Sequence, residues 1–217
     1  HKKAMDKVYL LLKRKLNISR VKFNQLFSLS KKEIHMELAG TASAHNRVLY
    51  FQRLIEKLHK TVNPEITLNL YETYWSAFLK NIKLKSGVKE TLKELKKKGI
   101  KIAIVSDLTT HIQLRKIRKI GITKYVDYLV TSEEAGSEKP HSIMFLLALN
   151  KINMLPGEVI MVGDNKIKDI EGANSVGIDT VLISSKKEKI DKKDFFSPDY
   201  VIKDISQILN ILESFEN

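Results

Sequence analysis

As far as about Lys80 the apolar residues recur at helical spacing: Val8, Leu11 and Leu12; Val48, Phe51, Leu54, Ile55 and Leu58; Leu70, Tyr74, Ala77 and Phe78. No stretch in that part alternates as a strand would. Pro64 suits the first turn of a helix, with Asn63 as its N-cap. From Gly99 onward the pattern changes to short β-branched runs at 101–106, 128–131, 159–163, 180–183 and 200–202. Helical stretches are expected around 87–98, 109–119, 141–151, 167–176 and 204–214. Continuous apolar strands alternating with helices predict a parallel sheet covered on both faces. The expected architecture is a helical module over residues 1–82 and an α/β core, a doubly wound parallel sheet, over 83–217, joined near Asn81–Ser86.

Composition narrows the class. The 217 residues are 43% hydrophobic and 29% charged, with 9 Gly and 4 Pro, which excludes collagenous and low-complexity chains. The longest apolar runs, such as Ile102 to Val105 and Val159 to Val162, fall far short of the roughly 18 to 20 residues of a membrane-spanning helix. Cysteine is absent, which removes disulfides, zinc–thiolate sites and cysteine nucleophiles and fits a cytoplasmic protein. Position 1 is His, and the chain opens directly into a helical pattern, so upstream residues are expected.

The net charge of +13 is uneven. Residues 1–100 hold 22 Lys and Arg against 8 Asp and Glu, and residues 101–217 hold 16 against 17. Such asymmetry can mark a nucleic-acid surface. A run such as Lys93 to Lys98, interleaved with Glu90 and Glu94, reads instead as the solvated face of a helix whose Val88, Leu92 and Leu95 look inward. No zinc-finger or RNP-type pattern accompanies it, which makes nucleic acid the weakest choice of partner.

In open α/β sheets, ligands bind beyond the carboxyl ends of the strands. Three such ends carry polar groups: Ser106-Asp107 after Ile102 to Val105, Lys139-Pro140 in the loop after Thr131, and Gly163-Asp164 after Val159 to Val162, followed by Asp169 and Gly172. Each alone is an ordinary turn or cap device. Together, a hydroxyl, a Lys and carboxylates converging on one crevice suit a phosphate and a divalent cation, Asp offering the hard oxygen that Mg²⁺ prefers.

On these residues the sequence resembles the haloacid dehalogenase superfamily of hydrolases, in the branch with a helical cap inserted near the N-terminus. Ile104-Val-Ser106-Asp107 is similar to the second family motif, Lys139-Pro140 to the third, and Gly163-Asp164 with Asp169 to the fourth. The resemblance implies that Ser106 binds the transferred phosphoryl group, that Lys139 stabilises that group and the nucleophile, and that Asp164 ligates Mg²⁺. It further implies that Asp169 orients Lys139 or a metal-bound water, and that Asp107 contributes its backbone N–H. The activity implied is a Mg²⁺-dependent phosphatase of a small phosphorylated metabolite, working through an aspartyl-phosphate intermediate. Haloacid dehalogenation and an inactive binding module are the alternatives.

One family element is missing. Its first motif, an Asp-x-Asp-x-Thr that supplies the nucleophile, has no counterpart, because no Asp-x-Asp occurs in the chain. In the family that strand lies between those ending here at Ser106 and Gly163. Omitting it should leave a slot about 10 Å wide, twice the strand spacing, and about 15 to 20 upstream residues would supply it.

Other fingerprints are absent: neither G-x-G-x-x-G, G-x-x-x-x-G-K-[ST] nor H-E-x-x-H occurs. His111, one turn after Ser106, reads as a surface residue before a pocket residue. Tyr71, Tyr74, Trp75 and Phe78 form an aromatic stripe at helical spacing, read as packing between helices before a substrate cage.

Overall fold

A computed structural model describes every residue except 187, 189, 192, 193 and 217, so those positions of the expected 83–217 core lie outside the described residues. Four helices come first: α1 (Lys2–Leu16), α2 (Arg20–Glu37), α3 (Arg47–His59) and α4 (Pro64–Asn81). Their starts follow local chemistry. Asn46 accepts from the Val48 N–H at 3.0 Å and Asn63 from the Ile66 N–H at 3.0 Å, so the expected Asn63–Pro64 start is observed. The apolar stripes meet in one cluster built around Val8, Leu12, Phe51, Leu54, Ile55 and Leu70. A short 3₁₀ turn, Ala42–His45, lies in the connection between α2 and α3. Periodicity did not single out α2, whose Val21, Leu29 and Met36 are exposed.

The rest alternates strand and helix: α5 (Val88–Lys97), β1 (Ala103–Ser106), α6 (Thr110–Ile120), β2 (Tyr128–Thr131), α7 (Ser132–Ala135), α8 (Ile143–Ile152), β3 (Ile160–Gly163), α9 (Gly172–Asn174), β4 (Asp179–Ile183), β5 (Tyr200–Ile202) and α10 (Ile208–Glu216). All pairings are parallel. β1 pairs with β2, bringing Ser106 beside Thr131, and β3 pairs with β4 and β4 with β5, bringing Gly163 beside Leu182. No pairing joins β1 to β3 among the described residues, so the sheet stands in two pieces, where a slot was expected. Beneath them α8 packs Met144, Phe145 and Leu149 into one cluster with residues of both pieces, Val130 of β2 and Met161 of β3.

Several boundaries differ from expectation. β1 begins at Ala103, because the Ile102 N–H is taken by the Asp127 carboxylate at 2.7 Å. Pro140 lies in a turn ahead of α8, after a cis Lys139–Pro140 bond, and not in the helix. The helix expected over 167–176 is a π-helical turn, Lys166–Glu171, running into α9. Its Asn165 carbonyl accepts from both Asp169 N–H at 2.8 Å and Ile170 N–H at 3.4 Å. The last helix is preceded by a 3₁₀ turn at Ile205–Gln207, capped by Asp204.

Candidate active site

The carboxyl ends of β1 and β3 open into one cavity of about 390 Å³ between the α/β strand ends and the helical region. Ser106, Asp107, Lys139, Asp164 and Asp169 all line it, so every sequence-nominated residue is brought together. His111 is exposed and does not line it. A second hollow of about 490 Å³, lined by Asp179, Asp191, Asp194 and Asp199, has no cation among its described lining residues and would repel a phosphate.

Lys139 is the centre of the arrangement. Its ammonium donates to the Val105 carbonyl at 3.0 Å and to Asp169 Oδ1 at 2.6 Å, so one side chain links the two pieces of sheet. Both partners are secluded, with side-chain exposures of 12% and 7%. Asp169 Oδ2 accepts from the N–H groups of Asp164 and Asn165, each at 3.1 Å, which fixes the loop after β3. Gly163 is required here: a Cβ would stand 2.3 Å from Asp169 Cβ and 2.4 Å from Oδ2. Gly172 likewise makes room for the Phe145 ring and the Pro140 backbone, which would lie 2.5 Å and 3.0 Å from an added Cβ.

On the β1 side, Ser106 Oγ accepts from Gln113 Nε2 at 2.6 Å, and the same amide group donates to the Asp107 carbonyl at 2.7 Å. The hydroxyl proton has only a long contact, 3.3 Å, to the Asp107 carbonyl, and can turn toward an incoming oxygen. Expectation gave Asp107 a backbone role. Its side chain turns out to organise the loop: Oδ1 accepts from the Lys139 N–H at 2.9 Å and Oδ2 from Lys168 Nζ at 2.7 Å. Leu108 follows with φ of 105°, a left-handed conformation costly for a branched side chain. It is held by the Leu108 N–H bond to Ser132 Oγ at 2.8 Å and by burial in the cluster of the helical region.

The helical region reaches the cavity twice. The turn between α2 and α3 touches the loop that carries Lys139, with the Glu138 N–H donating to the Gly40 carbonyl at 2.8 Å. Beside it, His45 Nε2 lies 3.1 Å from Glu138 Oε1. Burial, with His35, Lys168 and Arg47 nearby, holds the His45 ring neutral down to about pH 4, so this contact is no ion pair at neutral pH. Burial and the neighbouring Asp107 push the Glu138 carboxyl up. Tyr50 donates to the Ala44 carbonyl and stands 2.6 Å from His35 Nε2, bracing the same turn. The aromatic stripe serves packing: Tyr74 and Trp75 are 1% and 2% exposed within the helical cluster. Both nevertheless form part of the cavity wall with Phe78.

Sequence reasoning missed Gln113, Lys168, His45, Arg47 and Lys116, all of which line the cavity. Gln113 had a usable signal, a polar residue beside Ile112 at a position that proves 7% exposed. The cations had none, since a lone Lys or Arg in a helical pattern does not differ from one on a solvated face.

As a metal site the donor set is partial. Asp164 is exposed, and no described residue donates to its carboxylate, which suits one ligand of a hard cation. The Asp107 and Asp169 carboxylates are occupied by ammonium and amide donors. Among the described residues no group of three His, Cys, Asp or Glu side chains could hold a metal. The residues present therefore fit one coordination position and do not make a Mg²⁺ site by themselves.

Comparison with known proteins agrees with this geometry. The chain is 43% identical over 166 residues to a ribulose-1,5-bisphosphate 5-phosphatase of Halopiger xanaduensis, covering 76% of this chain and 70% of that one. It is 32% identical over 165 residues to a glyceraldehyde 3-phosphate phosphatase of Pyrococcus furiosus, covering 76% and 69%. In fold it matches a crystal structure of a HAD phosphatase from Thermococcus onnurineus with a TM-score of 0.70 at 24% identity, over 95% of this chain and 91% of that one. It also matches a 2-haloacid dehalogenase from Pseudomonas syringae pv. tomato with a TM-score of 0.76 at 19% identity, over 98% and 90%. These likenesses show the fold, an α/β core accompanied by a helical region. The profile of the haloacid dehalogenase-like hydrolases matches residues 4–183, and with its three motifs gathered at one set of strand ends the chain belongs to that family.

Proposed function

We propose that the protein is a Mg²⁺-dependent phosphatase of a small phosphorylated metabolite. The observation that carries this reading is the Lys139 ammonium, held at once by the Val105 carbonyl and Asp169 in the cavity that also contains Ser106. An ammonium so fixed neutralises a phosphoryl oxygen without reorganising, and the Ser106 hydroxyl donates to another. In this reading Asp169 is a positioning residue for Lys139, Asp107 positions both Lys139 and Lys168, and the helical cap over 1–82 closes the site opposite the 83–217 core. Asp164 would be one ligand of Mg²⁺, which supplies charge neutralisation for the phosphate when bound. The names of the two relatives, a sugar bisphosphatase and a triose-phosphate phosphatase, support a small phosphorylated substrate. A cytoplasmic location is part of the same proposal, supported by a chain without cysteine.

The reading requires an attacking carboxylate, and the engaged state of Asp107 and Asp169 argues against either. We assign it to an Asp-x-Asp strand pairing with the free edges of β1 and β3. Hydrolysis of an aryl phosphate with Mg²⁺ tests this. Residues 1–217 alone should show negligible turnover, and the same chain preceded by that strand should show it. Turnover by residues 1–217 that is lost in Asp164→Asn would overturn the assignment. No turnover from the extended chain would favour an inactive binding module.

A further inference from the structure

The four cations lining the cavity fall into two kinds. Lys139 is paired with Asp169 at 2.6 Å and Lys168 with Asp107 at 2.7 Å. Arg47 and Lys116 have no carboxylate partner among the described residues. Arg47 Nη1 donates to the His45 carbonyl at 2.6 Å, while its Nε is buried without any hydrogen-bond acceptor. The guanidinium lies over Tyr50 and Tyr74, at 5.1 Å and 5.6 Å from the ring centroids. Lys116 is half-buried, with its ammonium 5.8 Å from the Trp75 ring centroid. Burial first, and then the charge of Arg47, push the Lys116 ammonium down. Like charges secluded together without a counter-charge are costly, and a bound anion removes the cost.

Their place relative to the phosphoryl site is set by α6. Gln113 holds Ser106, and Lys116 follows three residues later on the same helix, so it stands about 4.5 Å further along the axis on a neighbouring face. Arg47, at the start of α3, reaches the cavity from the helical region. The two unmatched charges thus enter one cavity from different elements, Arg47 beside Tyr74 and Lys116 beside Trp75.

We propose that Arg47 and Lys116 form a second phosphate subsite, so that the substrate is a small metabolite carrying two phosphoryl groups on a short carbon chain. This rests on the phosphatase reading above. A carboxylate would need one of the cations, whereas a dianionic phosphate matches both, the Arg as a fork and the Lys as a point charge. Trp75 and Phe78 supply an apolar wall for the carbon chain between the two phosphates.

Isothermal titration of the full 217-residue chain with ribulose 5-phosphate and ribulose 1,5-bisphosphate tests the proposal, because the two differ only in the second phosphate. Trp75, the only tryptophan, reports binding at the cavity through its fluorescence. The bisphosphate should bind about tenfold tighter or better. That ratio should fall toward one in Lys116→Met and in Arg47→Gln, and recover in Lys116→Arg, with thermal melting confirming that each variant folds. Equal affinity for the two compounds, or a ratio that survives both neutral variants, overturns the subsite alone. If neither compound binds, the phosphate-site reading beneath it fails as well.

Discussion

The helical region and the α/β region are held together in different ways. In the first, α1 to α4 close on one apolar cluster that includes Val8, Leu12, Phe51, Leu54, Ile55 and Leu70, each fully buried, while ion pairs such as Arg53 with Glu33 and Glu37 stay toward the surface. In the second, the apolar core is divided among three clusters and the sheet into two pieces. Across that division run α8 beneath and the Lys139–Asp169 pair at the strand ends. The helical region keeps its charges at the rim of one continuous apolar cluster. The α/β region places secluded charges where packing is interrupted, and that interruption is where the chemistry gathers.

The largest effect should come from the charge that bridges the pieces. Lys139→Met strands the buried Asp169 carboxylate and should cost about 3–5 kcal/mol of unfolding free energy in urea titrations. Adding Asp169→Asn should recover much of it, whereas a loss below about 1 kcal/mol would show the two pieces to be held by α8 alone. Leu54→Ala, in the middle of the helical cluster, should cost about 2–5 kcal/mol, and its effect should add to that of Lys139→Met because the sites share no partner. Strong non-additivity would mean that the Leu54 cluster and the Lys139–Asp169 pair are coupled through the packing between them.

A smaller effect concerns the contact between them. The His45 ring stays neutral in the folded chain down to about pH 4, against an ordinary value of 6.5, so the unfolded chain takes up the proton first. Stability attached to this ring is complete above pH 6.5 and is lost as the pH falls from there toward 4. Glu138, whose carboxyl is pushed up, works in the opposite direction just above its ordinary value of 4.5. Between pH 7 and pH 5 the parent should lose about 1–3 kcal/mol more than His45→Gln. Parallel pH profiles would remove His45 from the contact.

How much of this could be read in the chain follows the same divide. The helices around Leu12, Phe51, Leu54 and Leu70 were legible because each buries one stripe, whereas α2 leaves Val21, Leu29 and Met36 exposed and carries a weak pattern. The strand ends at Ser106 and Gly163 were legible because an apolar run stops on polar residues there. The π-helical turn was not, because it depends on where the Asn165 carbonyl and the Asp169 carboxylate find their partners. Lys168, Arg47 and Lys116 were hidden for a related reason: along the chain a half-buried cation looks like a solvated one, and only the fold brings it against Asp107, Tyr74 or Trp75.

The central claim is that the strand ends on the two sides of the division form one phosphate site. Isothermal titration of the 217-residue chain with orthophosphate, in the parent and in Ser106→Ala, tests it most directly, since among the described residues the Ser106 hydroxyl bonds only to Gln113 and, at long range, to the Asp107 carbonyl. The parent should bind, and the variant, folded as well as the parent by melting, should bind about tenfold more weakly. Equal affinity in the two proteins, or no binding by the parent, would contradict it.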